Sequence, residues 1–231
     1  MLVAGLATQA APASAASISY NAGLGSLPEA QGWTFIQDGA SVPAPSVSGG
    51  VLSQGLTDFS GHQYWSNEGL SFDFATGPVH LQARLRIDYA SFHSFPRGGY
   101  NFGLVDTAGR FASVNITNSV VFLGNDQLTS MSGFGSVDTT NAFHDFDFIV
   151  GATGMSLSVD GQELATLGLG GTVSSGPSVY FGDATILGNN QSQLMSLSVT
   201  TDTIPEPATL ALGAIAMAGL IVARRRRRLV G

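Results

Sequence analysis

The chain has no cysteine and no lysine, and only 11% of its 231 residues are charged. Without cysteine there are no disulfides, no thiolate nucleophile and no cysteine-type zinc site. Without lysine, all nine basic residues are arginines, and five of them, Arg224 to Arg228, form one run near the C-terminus. Residues 1–204 keep only Arg84, Arg86, Arg97 and Arg110 against fifteen acidic residues, a formal charge of −11. A body that acidic repels phosphate backbones, which excludes nucleic acid as a partner. Also missing are a nucleophile elbow, a phosphate-binding loop and a His-x-x-x-His pair. The four histidines, His62, His80, His93 and His144, are scattered and read as surface or loop residues. Between residues 17 and 200 there is no internal repeat and no sustained 3.6-residue apolar period.

A period of two is present instead. In Val79 to Tyr89, Val79, Leu81, Ala83, Leu85, Ile87 and Tyr89 alternate with His80, Gln82, Arg84, Arg86 and Asp88. This predicts a strand with one buried face. Tyr100 to Val105 and Arg110 to Thr117 flank an Asp106-Thr107-Ala108-Gly109 turn. Val120 to Leu123 is a short apolar strand. Phe143 to Val150 sends Phe146, Phe148 and Val150 inward and Asp145 and Asp147 outward. Met155, Leu157 and Val159 lead into Asp160-Gly161, a two-residue hairpin signal, with Glu163 to Leu167 returning. Val179 to Phe181 and Leu194 to Thr200 complete the set. Many short strands at close spacing predict an all-β, two-sheet antiparallel sandwich. Val42 to Gly50 and Gly168 to Gly176 read as loops within it.

Both ends carry addresses. Met1 to Ala16 is small, apolar and uncharged, and contains Ala13-Ser14-Ala15, an A-x-A cleavage pattern. It reads as the remnant of a signal peptide; the missing basic n-region predicts a natural start further upstream. Residues 201–231 begin with a polar spacer. Pro205-Glu206-Pro207 follows, then an uncharged run over 208–223, then Arg224, Arg225, Arg226, Arg227 and Arg228. As a helix the run rises about 24 Å, short for a hydrocarbon core of about 30 Å but extended by snorkelling arginines. The arginines stay cytoplasmic, placing the preceding body outside.

The order Pro-Glu-Pro, apolar helix, arginine cluster resembles the PEP-CTERM signal of Gram-negative bacteria, over residues 204–231. The resemblance implies an exosortase as partner, a transient inner-membrane anchor, and association with the extracellular polysaccharide of a biofilm matrix. A plain tail anchor needs only the apolar span, without Pro-Glu-Pro. Within 17–200, Leu27 to Trp33 resembles the opening strand of concanavalin A-like lectin/glucanase (laminin G-like) domains. Phe143-His144-Asp145-Phe146, Ser156 to Gly161 and Val179 to Asp183 resemble their late hairpin and following strand. This implies a jelly roll with one concave sheet. The Glu-x-Asp-x-x-Glu strand of the glucan-cutting enzymes of that superfamily is absent.

Candidate chemistry is sparse. Asp145 and Asp147 sit about 6.8 Å apart along one strand face, a separation that suits two-carboxylate hydrolysis, or simply a solvated face. Asp160 serves its turn. Asp183, by analogy with laminin G-like modules, suggests calcium, but one carboxylate falls short of six to eight oxygens; no cofactor is expected. Tyr64, Trp65, Phe92, Phe95 and Tyr100 put rings near glycines, and such rings stack on sugars. Arg84 and Arg86 offer hydrogen-bond forks. The same rings can instead cap the core. The expectation is an exported, non-catalytic module that binds polysaccharide or builds matrix. A divergent glycoside hydrolase or lyase, and a purely structural protein, are the alternatives.

Overall fold

A computed structural model describes residues 16–39, 42–55, 61–92, 99–125, 131–173, 175–184 and 188–202. The leader up to Ala15, the expected sorting signal with its expected 208–223 helix, and Phe95 lie outside these residues. Ala16–Asp202 form one compact unit.

The described residues hold fifteen strands: β1 Ser17–Asn21, β2 Thr34–Asp38, β3 Ser46–Ser48, β4 Val51–Gln54, β5 His62–Asn67, β6 Val79–Phe92, β7 Tyr100–Val105, β8 Phe111–Ile116, β9 Val120–Gly124, β10 Met131–Ser136, β11 His144–Val150, β12 Gly154–Val159, β13 Gln162–Gly168, β14 Ser178–Asp183 and β15 Gly188–Thr201. No α-helix occurs among them. The strands form two antiparallel sheets. Sheet A runs β13-β12-β11-β6-β15-β4-β3, with β1 also on β15; sheet B runs β10-β9-β8-β7-β14-β5-β2. The all-β sandwich expected from the period of two is therefore the observed fold. Some local expectations are corrected. Pro28–Gln31, inside the expected opening strand, is a 3₁₀ turn, and the strand begins at Thr34. Val42 to Gly50 is not wholly loop, because it contains β3.

The apolar phase of each strand makes the core. Leu81, Leu85, Phe146, Phe148, Leu157 and Val199 of sheet A meet Trp65, Phe102, Val114, Leu123 and Phe181 of sheet B, all fully buried. Two bulges in the long β6–β15 pair decide which residues face out. Tyr89 pairs with Gln191 and Ile87 with Ser192, so Asp88 is an extra residue on β6. The alternation reverses there, leaving Tyr89 exposed, not buried as its parity predicted, and sending Ala90 inward. Leu85 pairs with Leu194 and Arg84 with Ser196, so Met195 is extra on β15. Leu194 is buried before this bulge and Leu197 and Val199 after it, so Ser196 and Ser198 face outward.

One polar hub is buried with the core. The Asp106 carboxylate is inaccessible and accepts the backbone N–H groups of Phe74 (3.2 Å), Ala108 (3.0 Å) and Arg110 (2.8 Å), and Arg110 Nε (2.7 Å). Arg110 also reaches Asp73 and lies 5.7 Å from the centroid of the Phe74 ring. The hub ties the β7–β8 turn to the segment before β6.

Candidate functional site

The structure separates the residues that the sequence grouped as a ring-rich site. Trp65 is in the core, stacked on Phe181 with centroids 5.2 Å apart and planes at 20°, and its Nε1 donates to Glu29 Oε2 at 3.1 Å. Tyr100 is likewise in the core; its burial pushes the phenol's pKa well above 10. Both sit on the inward phase of their strands, so neither offers a face to a sugar. Tyr64 is on the outward phase of β5, edge-on to Tyr180 at 6.1 Å. That outward face of sheet B is itself largely covered: Asn101, Phe111, Ser113 and Asn115 are buried, Asn101 Nδ2 donates to Asn115 Oδ1 at 2.7 Å, and a Cβ on Gly103 would collide with the Tyr180 ring at 2.0 Å. Phe92 ends β6, and Phe95 lies outside the described residues. Arg84 and Arg86 project from sheet A, on the opposite side of the sandwich from Tyr64. Arg86 pairs with Asp88 at 2.7 Å and lies 5.5 Å from the Phe143 ring centroid.

The outer face of sheet A carries a groove of about 1000 Å³. Its floor is set by register. One rung runs Ser158–Asp147–Gln82–Ser198–Ser19, across β12, β11, β6, β15 and β1. Four inter-strand gaps of about 4.8 Å make it about 19 Å long. The next rung holds Asp145, Arg84, Ser196 and Asn21. Gly23 and Gly50 border one end and Gly161 the other. In the second rung Arg84 Nη1 donates to both oxygens of Asp145, at 2.9 and 2.8 Å. In the first rung, by contrast, the side chains of Ser158, Asp147, Gln82, Ser198 and Ser19 make no hydrogen bond among the described residues, and Asp147 Oδ1 is buried without a partner. Sequence reasoning placed Gln82, Asp145 and Asp147 outward but passed over Ser196, Ser198 and Ser19. The switch of apolar parity between Leu194 and Leu197 was the available signal.

The Asp160-Gly161 turn that closes the groove has φ of 51° and 78°, as a tight hairpin requires. Asp160 does more than turn the chain. Its Oδ1 accepts the Asp145 N–H at 2.9 Å, and its Oδ2 lies 2.6 Å from His144 Nδ1. The Asp145 N–H and then the His144 ring hold the Asp160 carboxyl below its ordinary range. A folded-state pKa below the unfolded value of about 3.9 gives stabilisation that is complete above that value and is lost as pH falls through the lower one. Asp160→Asn tolerates the positive φ but removes the charge. It should lower stability by up to about 1 kcal/mol at pH 7, since Asp160 is half exposed, with the difference from wild type shrinking below about pH 4. Urea unfolding at pH 7 and pH 3 checks this; a difference that grows on acidification contradicts it.

Among the described residues no three His, Asp or Glu side chains gather as a metal-ligand set. Asp183 is fully buried at the end of β14.

Residues 203–228 match the PEP-CTERM protein-sorting motif. The chain carries this sorting signal. PEP-CTERM marks an exported protein that an exosortase recognises and that is anchored transiently in the membrane of a Gram-negative bacterium. None of the curated proteins matches the chain. Among solved structures it is similar to a carbohydrate esterase of Shiga toxin-encoding bacteriophage phi24B, at 13% identity and a TM-score of 0.55, covering 82% of this chain and 100% of that one. A β-1,3-1,4-glucanase (lichenase) from a mouse hindgut metagenome matches at 13% identity and 0.50, covering 81% and 99%. The VIP36 exoplasmic/lumenal domain in its Ca²⁺/Man3GlcNAc-bound form matches at 7% and 0.50, covering 80% and 90%. At these identities the likeness shows the fold alone. The PEP-CTERM chain has an all-β sandwich of two antiparallel sheets, the fold it shares with these structures.

Proposed function

We propose that this is a non-catalytic, polysaccharide-binding module, delivered to the cell surface or its extracellular matrix, and that the sheet A groove is its binding surface. The observation that carries this reading is the Ser158–Asp147–Gln82–Ser198–Ser19 rung, five polar side chains in a row without hydrogen-bond partners among the described residues. Hydroxyls and amides at such spacing exchange hydrogen bonds with successive sugar hydroxyls, and a long shallow groove suits a chain better than a compact ligand. Fold likeness to sugar-active proteins agrees with the reading without deciding it. Gln82→Ala and Ser198→Ala should each weaken binding about 2- to 10-fold, one hydrogen bond's worth, with little change in melting temperature. A glycan array probed with the purified protein, followed by titration of the best ligand, measures this. Unchanged affinity in both variants removes the groove from consideration.

The hydrolase alternative needs two working carboxylates. Asp145 is paired with Arg84, whose Nη1 contacts both its oxygens, which leaves Asp147 as the one unpaired carboxylate among the described residues lining the groove. Reducing sugar released by wild type and not by the Asp145→Asn/Asp147→Asn double variant would establish the enzyme instead.

Processing follows from the sorting signal. The mature protein should end near Pro205–Pro207, without Arg224 to Arg228, because Pro-Glu-Pro sits just outside an apolar span whose positive end stays inside. Intact-mass analysis of the native protein reads this directly, and a mature species keeping all five arginines contradicts it.

A further inference from the structure

The charge of the groove narrows the class of polysaccharide. We infer that the groove selects amino-sugar polymers bearing free ammonium groups over N-acetylated and uronate polymers. This rests on the polysaccharide-binding reading and specifies its ligand. Among the described residues lining the groove the one cation is Arg84, which is already paired with both oxygens of Asp145. Asp147 is left with no cation and no hydrogen-bond donor among the described residues, while its strand neighbours, Ser158 and Gln82, are neutral. One oxygen of this carboxylate, Oδ1, is buried and unpartnered, so that oxygen has lost hydration without gaining a donor among the described residues, while Oδ2 of the half-buried side chain is the oxygen open to a ligand. An ammonium group supplies both a compensating charge and up to three donors. The rest of the rung is hydroxyl and amide, which suits the uncharged hydroxyls of the same sugar. The formal charge of −11 over residues 1–204 acts in the same direction at longer range, drawing in cationic chains and repelling uronates.

The test is titration of the full chain with chito-oligosaccharides of one length in two forms, fully N-acetylated and fully de-N-acetylated, and with alginate oligosaccharides, at low and high salt. The free-amine form should bind about 10- to 100-fold more tightly than the N-acetylated form, as expected for a hydrogen bond to a charged group, and alginate most weakly. Asp147→Asn should bring the two chito-oligosaccharides to nearly equal affinity while the N-acetylated ligand keeps its own. Arg84→Gln, which frees Asp145, should widen the preference for the amine and serves if Asp147→Asn does not fold. Equal binding of both forms by wild type overturns the inference and leaves polysaccharide binding standing. An amine preference that survives Asp147→Asn assigns it to bulk charge and overturns the groove's role. No binding to any glycan on the array removes the polysaccharide reading and this inference together.

Discussion

Trp65→Ala should destabilise the protein by about 3–5 kcal/mol, the range for deleting a large buried aromatic. The indole is wholly inaccessible, stacks on Phe181 and meets Phe35 with centroids 5.2 Å apart. Alanine leaves a cavity between the sheets that rigid strands cannot close. It also strips Glu29 Oε2 of the indole donor. Trp65→Phe keeps part of the ring packing and should recover a substantial part of the loss. Urea unfolding followed by circular dichroism gives the comparison. The outcome also separates scaffold from site: a ring stacked on a sugar would lose affinity and keep its stability. A loss under about 1 kcal/mol for Trp65→Ala would be incompatible with its core position.

Asp106→Ala should be comparably damaging, at about 3–5 kcal/mol, because it breaks a buried ion pair from one side. Three backbone N–H groups lose their acceptor at once, and Arg110 keeps only Asp73. The N–H groups belong to Phe74, Ala108 and Arg110, so the β7–β8 turn and the segment before β6 loosen together. Arg110→Met in the same background removes the stranded cation. The double variant should therefore lose less than the sum of the two single variants. Denaturant unfolding of the four proteins closes the cycle. Strict additivity would mean that Asp106 acts through its backbone bonds alone.

Much of the sandwich was legible because alternation is a local property. β6, β11 and β12 declare their buried faces residue by residue, and Asp160-Gly161 declares its hairpin. β1, β3, β4, β5 and β10 were not legible. Ser17–Asn21 and His62–Asn67 mix polar and aromatic residues without a clean period, and their strand state is set by the neighbours they pair with. The rings misled for a related reason. Tyr64 and Trp65 are adjacent in sequence, but a strand sends neighbours to opposite faces, so one ring joins the core and the other leaves it. Proximity along the chain carried no information about a shared site.

The sequence by itself determined the export address, the acidic and cysteine-free body, and the all-β class, because each is written in composition or in a pattern a few residues long. Only the tertiary structure decided which polar side chains share one face of the groove. The groove's first rung joins residues 19, 82, 147, 158 and 198, which become neighbours through strand order and register. Two of its features depend on events outside any one segment: the Met195 bulge that turns Ser198 outward, and the Arg84–Asp145 pairing that leaves Asp147 alone. Register and bulges are settled by the packing of whole sheets, where a shift of one residue moves every side chain to the other face.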